Sequence, residues 1–225
     1  MQISYINKQN FNSRNITIRE ADNLAREVKK MFPSVSYSKL LKFDNYKLLK
    51  KSSDVQPLRN IKNKILILRE YLTDMSKCNQ TKDIDYLIVL PDLVKKHKVA
   101  NCGELSNITF LIAKCRDIKN CSLRLLADKF GIDMDHSVVY VNDKKPYIID
   151  PWLGFADYVP EAIKRYNCEF RKFINFNNDK FVNKLIFSPP EDLDTFSMIP
   201  DYNINLCFDD KLRIVKKYPQ FFVKQ

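Results

Sequence analysis

The run HSVVYVNDKKPYIIDPW, from His136 to Trp152, constrains the fold more than any other part of the chain. β-Branched and aromatic residues on both sides of a polar NDKK tip suit a pleated, half-buried ladder, so the run predicts a β-hairpin with its turn at NDKK. CSLRLLADKF, just before it, reads as a further strand. Earlier still, CGELSNITFLIAKC places Leu105, Ile108, Ile112 and Cys115 at helical spacing with Phe110 and Leu111 beside them, which predicts a helix buried on most sides. A helix followed by antiparallel strands makes an α+β protein, a helical N-terminal lobe packed on an antiparallel sheet.

The lobe is read from two amphipathic runs. Ile18, Ala21, Leu24, Ala25, Val28 and Met31 recur at helical spacing after Thr17, a suitable N-cap, and Pro33 is expected to end that helix. Pro57 opens a second, with Leu58, Ile61, Ile65, Leu68 and Leu72 on one face. Residues 83–98, DIDYLIVLPDLVKKHK, are interrupted by Pro91 and fit strand and helix equally. At 225 residues the chain suits a single domain. Within it, residues 1–100 read as a mainly helical basic part, 101–155 as the core that carries the chemistry, and 156–225 as a C-terminal extension of the same domain.

Charge is uneven along that division. Residues 1–100 carry 20 Lys and Arg against 10 Asp and Glu, whereas residues 101–150 balance at 7 and 7. The basic excess has two readings: an acidic partner, such as an anionic membrane surface or an acidic protein, and a merely solvated Lys-rich surface, which is preferred. Nucleic acid is not expected, because basic and aromatic residues do not recur in the pattern of a binding module. The six cysteines are scattered, with no CxxC pair and no secretory leader, which favours reduced thiols. With His97 and His136 the only histidines, no metal-ligand pattern is present, and no apolar run reaches membrane-spanning length. No cofactor is expected.

The hairpin also holds the chemistry. A two-residue tip at Asp143 and Lys144 sets Ser137 opposite Asp150, a three-residue loop is expected to set His136 there, and His136 and Asp150 are neighbours in either reading. A carboxylate beside an imidazole fixes one ring nitrogen as donor and leaves the other to accept a proton. Cys102 supplies a thiol at a helix start, where the helix dipole and unpaired N–H groups favour a thiolate and an oxyanion, and Gly103 leaves the adjoining backbone open. Cys78, Cys115, Cys121, Cys168 and Cys207 lack this context and read as small buried residues. Trp152, the only tryptophan, is expected to pack beneath the three; Glu104, Asp133 and Asp135 read as polar surface groups.

Cys102, then His136, then Asp150 in DPW, in that order, resembles the papain-like and transglutaminase-like superfamily of Cys-His-Asp thiol enzymes, including bacterial toxin and effector domains that deamidate or cleave host proteins. The resemblance covers about residues 100–155. The CWAF context of papain proteases and the RGGxC context of arylamine acetyltransferases are both missing, and the nearest upstream glutamine is Gln80. The resemblance implies an enzyme with Cys102 as nucleophile, His136 as base and Asp150 as its orienter, acting on an amide of a protein by deamidation, proteolysis or transglutamination. It implies a bacterial virulence effector translocated into a host cytosol. A non-catalytic module binding an acidic partner and a small-molecule acyltransferase are the alternatives.

Overall fold

The computed structural model describes residues 15–32, 63, 64, 66, 67, 70, 83–127, 133–170, 197–202 and 206–222. Helix α1, Ile18–Met31, begins where Thr17 Oγ1 accepts the Glu20 N–H at 3.2 Å while the Glu20 carboxylate accepts the Thr17 N–H at 2.8 Å. Its apolar face, Ala21, Leu24, Ala25 and Val28, is buried, and it ends before Pro33 as expected. The helix expected from Pro57 falls mostly outside the described residues; those described within it are helical, and Leu66 and Ile67, off its apolar face, are exposed.

Residues 83–98 resolve in favour of a helix, α2, Asp83–His97, with Pro91 inside it. Proline has no N–H for the carbonyl four residues back and its ring loosens that turn. The helix persists because Leu87, Leu90 and Val94 line one buried face, and the Tyr218 hydroxyl donates to the neighbouring Ile88 carbonyl in the turn before the proline. Helix α3, Cys102–Cys115, is buried on most sides, with Leu105, Ile108, Phe110, Leu111 and Ile112 all in the core. Each such side chain contributes about 1.5–3 kcal/mol relative to exposure, so α3 has little freedom to shift.

Strands β1 (Cys121–Ala127), β2 (Asp133–Val141), β3 (Tyr147–Asp150) and β4 (Phe155–Tyr158) run as an antiparallel meander, and β5 (Ser197–Tyr202) pairs with β1. The order is β4-β3-β2-β1-β5, which puts β2 in the middle of the sheet. Helix α4, Val159–Phe170, follows β4 directly and packs on β3 and β4; α5, Phe208–Lys217, and a short 3-10 turn, Pro219–Phe221, complete the chain's described part. The architecture is α+β. The sheet takes its fifth strand, and β3 a covering helix, from beyond residue 155.

The hairpin forms at the predicted place, but its register corrects the expectation. Val139 pairs with Ile149, Tyr140 with Ile148 and Val141 with Tyr147. Continued one step, this sets Val138 opposite Asp150, with His136 two residues further along, so neither Ser137 nor His136 is the direct partner. The two-residue tip at Asp143 and Lys144 is not the one used. It would have put Ser137 opposite Asp150 and turned His136 to the other face, because side chains alternate along a strand. The longer connection over 142–146 brings His136 and Asp150 to one face as diagonal neighbours.

Candidate active site

Asp150 ends β3 and organises the turn that follows. Its Oδ1 accepts the Leu153 N–H at 2.9 Å and its backbone carbonyl accepts the Gly154 N–H at 2.7 Å, the usual way an aspartate nucleates a turn. Its Oδ2 is thereby aimed at His136, whose Nε2 lies 2.8 Å away. Both side chains are 0% exposed. The Trp152 ring meets the imidazole edge-on at 5.3 Å between centroids, as packing beneath the site requires.

A third group reaches the carboxylate from α4. The Tyr166 hydroxyl donates to the same Oδ2 at 2.9 Å, and its ring stands edge-on to His136 at 5.6 Å. The sequence reading missed Tyr166. The signal was available in VPEAIKRYNCEF, where Val159, Ala162, Ile163 and Tyr166 recur at helical spacing just after DPW.

Burial alone would drive both members of the pair neutral. For Asp150, burial pulls the pKa up, but the His136 charge and hydrogen bond, the Leu153 N–H and the Tyr166 hydroxyl outweigh it and hold the carboxyl below its ordinary value. For His136, burial pulls down, and the Asp150 charge and hydrogen bond, reinforced by the Cys102 thiol, raise the imidazole above its ordinary value. An ionised Asp150 has no proton to give, so Nε2 carries the hydrogen between them. Nδ1 is then the nitrogen on which His136 can gain or lose a proton, and Cys102 is within hydrogen-bonding reach of the ring.

Cys102 is the first residue of α3, partly exposed, with Asn101 before it as the N-cap. Glu104 is buried, not a surface group: its carboxylate accepts the Asn101 N–H at 2.8 Å and fixes the helix start beneath the thiol. One turn on, the buried Ser106 hydroxyl donates to the Ser137 carbonyl at 2.7 Å, tying the helix of Cys102 to the strand of His136 next to that residue. A Cβ on Gly103 would meet nothing within 4 Å, so the protein's own packing does not require glycine there. Asp133 and Asp135 lie on β2, and their side chains fall outside those described.

The basic N-terminal part contributes to the site from outside. Lys29 of α1 donates to the Leu153 carbonyl at 2.7 Å, in the turn that Asp150 begins. Gly154 adopts φ +81° there, and a Cβ on it would stand 2.6 Å from Lys29 Cδ, so this glycine serves both the left-handed backbone and the passage of the lysine. Asp22, on the same helix, accepts the Ala156 N–H at 3.0 Å.

Of the other cysteines, Cys115 and Cys121 are buried as expected, and burial pushes their thiols up to about 12 and about 11. Cys78 and the side chain of Cys168 fall outside those described. Cys207 departs from the expectation: it is exposed and sits at the N-cap of α5, its Sγ 3.0 Å from Asp210 Oδ2. Among the described residues two cysteines therefore begin helices, and what distinguishes Cys102 is the imidazole beside it, where Cys207 has a carboxylate. Among the described residues no group of three or more His, Cys, Asp or Glu could hold a metal, and no helix is long and apolar enough to cross a membrane. Comparison with protein-family models, curated proteins and solved structures finds no match to this chain.

Proposed function

We propose that the chain is a papain-like or transglutaminase-like thiol enzyme that acts on an amide of a protein, with Cys102 as nucleophile, His136 as base and Asp150 as the residue that orients the base. The observation that carries this reading is the buried Nε2 to Oδ2 contact of 2.8 Å, which leaves Nδ1 as the proton acceptor of a ring beside a helix-start thiol.

In the proposed reaction Nδ1 first takes the thiol proton, giving an imidazolium beside the thiolate, and Sγ then attacks the amide carbonyl carbon. The oxyanion that forms accepts from the N–H groups of Cys102 and Gly103 in the first turn of α3, where the helix dipole favours negative charge. The carbon–nitrogen bond then breaks, the imidazolium returns its proton to the departing nitrogen, and a thioester remains on Cys102. Water resolves it to a carboxylate in deamidation or proteolysis, and a lysine amine resolves it to a new amide in transglutamination; the thiol is regenerated in each case. The open space beside Gly103 suits a carbonyl approaching against the backbone.

Deamidation of a host-cell protein is the preferred outcome, supported by the likeness to effector domains and by the missing CWAF context. The wild type and Cys102→Ala, each incubated with a eukaryotic cytosolic extract and followed by peptide mass spectrometry, test it. A gain of about one dalton at a glutamine that depends on Cys102 is expected. New termini would mean proteolysis and lysine-linked peptides transglutamination. Identical peptide maps from the two incubations, with no modification that requires the Cys102 thiol, would overturn the protein-directed reading.

A further inference from the structure

We infer that Tyr166 is a positioning residue that sets how strongly Asp150 holds His136 charged, and hence the upper pH limit at which Cys102 faces an imidazolium. The inference rests on the catalytic reading of Cys102, His136 and Asp150 proposed above. Its basis is geometric: the Tyr166 hydroxyl and His136 Nε2 donate to one oxygen, Asp150 Oδ2, at 2.9 and 2.8 Å, and all three side chains are buried.

Two donors on one carboxylate oxygen compete for its electron density. The Tyr166 hydrogen bond stabilises the ionised carboxylate, and so weakens the pull of that carboxylate on the proton at Nε2. Asp150 alone, buried against His136, would hold the imidazole as a near-permanent cation and make it a poor base. Tyr166 moderates that pull while its ring, packed against His136 and at 5.5 Å from Phe155, keeps the carboxylate and imidazole in register. The groups facing His136 are Asp150 from the end of β3, Tyr166 from α4, the Cys102 thiol from α3 and the uncharged Trp152 ring. Only Tyr166 among them can be altered without removing a member of the proposed triad or the ring packing.

The test is the pH profile of Cys102 carboxymethylation by iodoacetate in the full chain, quantified by peptide mass spectrometry with Cys207 as the reference thiol in the same molecules. The anionic reagent is attracted by the imidazolium, so the rate at Cys102 falls on the alkaline side where His136 loses its proton. Tyr166→Phe keeps the ring and removes the hydroxyl, and its alkaline limb should move up by about half to one pH unit, the worth of one hydrogen bond. Replacing Tyr166 by 3-fluorotyrosine, a stronger donor of the same shape, should move the limb down. Asp150→Asn should move it down further than either. If Asp150→Asn shifts the limb and both Tyr166 replacements leave it in place, Tyr166 is packing only and the inference is overturned. If Asp150→Asn also leaves it in place, the reading of the pair as base and orienter fails.

Discussion

The pair at the middle of the sheet and the ion pairs on α5 use an aspartate carboxylate in opposite ways. His136 and Asp150 are 14 residues apart and fully buried, and the Asp150 carboxylate takes further donors from β3's own turn and from α4. On α5, Arg213 reaches Asp85 at 2.8 Å and Lys217 reaches Asp92 at 2.9 Å, across more than a hundred residues, with side chains that stay substantially exposed. Exposed pairs gain little because water already solvates both partners. A buried pair is costly to desolvate and contributes nothing net unless its geometry is complete, so its loss leaves an uncompensated charge. The charges that join distant parts of this chain are thus expected to matter less to stability than the ones that join neighbours.

The most direct way to break that contrast is Asp150→Ala, which should cost about 3–5 kcal/mol by chemical denaturation. The pH dependence of the loss has a defined sign. The lowered Asp150 contributes stability that is present above its ordinary value of 3.8 and lost as pH falls through its folded value. The raised His136 contributes stability that is complete below its ordinary value of 6.5 and lost as pH rises through its folded value. The gap between wild type and Asp150→Ala should therefore be widest between pH 3.8 and 6.5. A gap that stays constant from pH 3 to 10 would show that the two groups are not coupled.

An intermediate effect is expected at Lys29, a charge from the basic N-terminal part that touches the turn following Asp150. Lys29→Met should cost about 1–2 kcal/mol, as for a hydrogen bond from a charged donor that is partly solvated, and should slow Cys102 alkylation severalfold by loosening the turn. Unchanged alkylation would mean that β3 and α4 hold Asp150 without help from α1. The smallest effect belongs to α5: Arg213→Ala and Lys217→Ala should each cost about 0.2–1 kcal/mol and leave Cys102 alkylation as it is. A loss as large as that of Asp150→Ala would remove the distinction between the two sets.

How much of this could be read beforehand differs by kind of signal. Periodicity gave α1, α3 and the hairpin, because amphipathic spacing is a local property that packing then used unchanged. Residues 83–98 could not be assigned, since Pro91 argues against a helix, and the groups that bury Leu87, Leu90 and Val94 and donate to the Ile88 carbonyl lie on other elements. The adjacency of His136 and Asp150 was legible, but the face they share depends on a connection over 142–146 that is longer than the two-residue tip. Spacing within α4 marks Tyr166 as part of a buried face but not the carboxylate it reaches, and Ser106 and Lys29 stayed hidden as contributors to the site because their partners lie on β2 and the turn after β3.

The complete enclosure of His136 has one more consequence. With Asp150, Trp152 and Tyr166 covering the ring and no surface of it open to solvent, water has no direct access to Nδ1. In the proposed reaction the hydrogen taken from sulfur therefore stays in custody until the leaving nitrogen arrives on the same side to collect it. Exchange of the His136 ring-nitrogen hydrogens with heavy water in the resting protein, followed by NMR, should accordingly be slower than at the half-buried ring of His97.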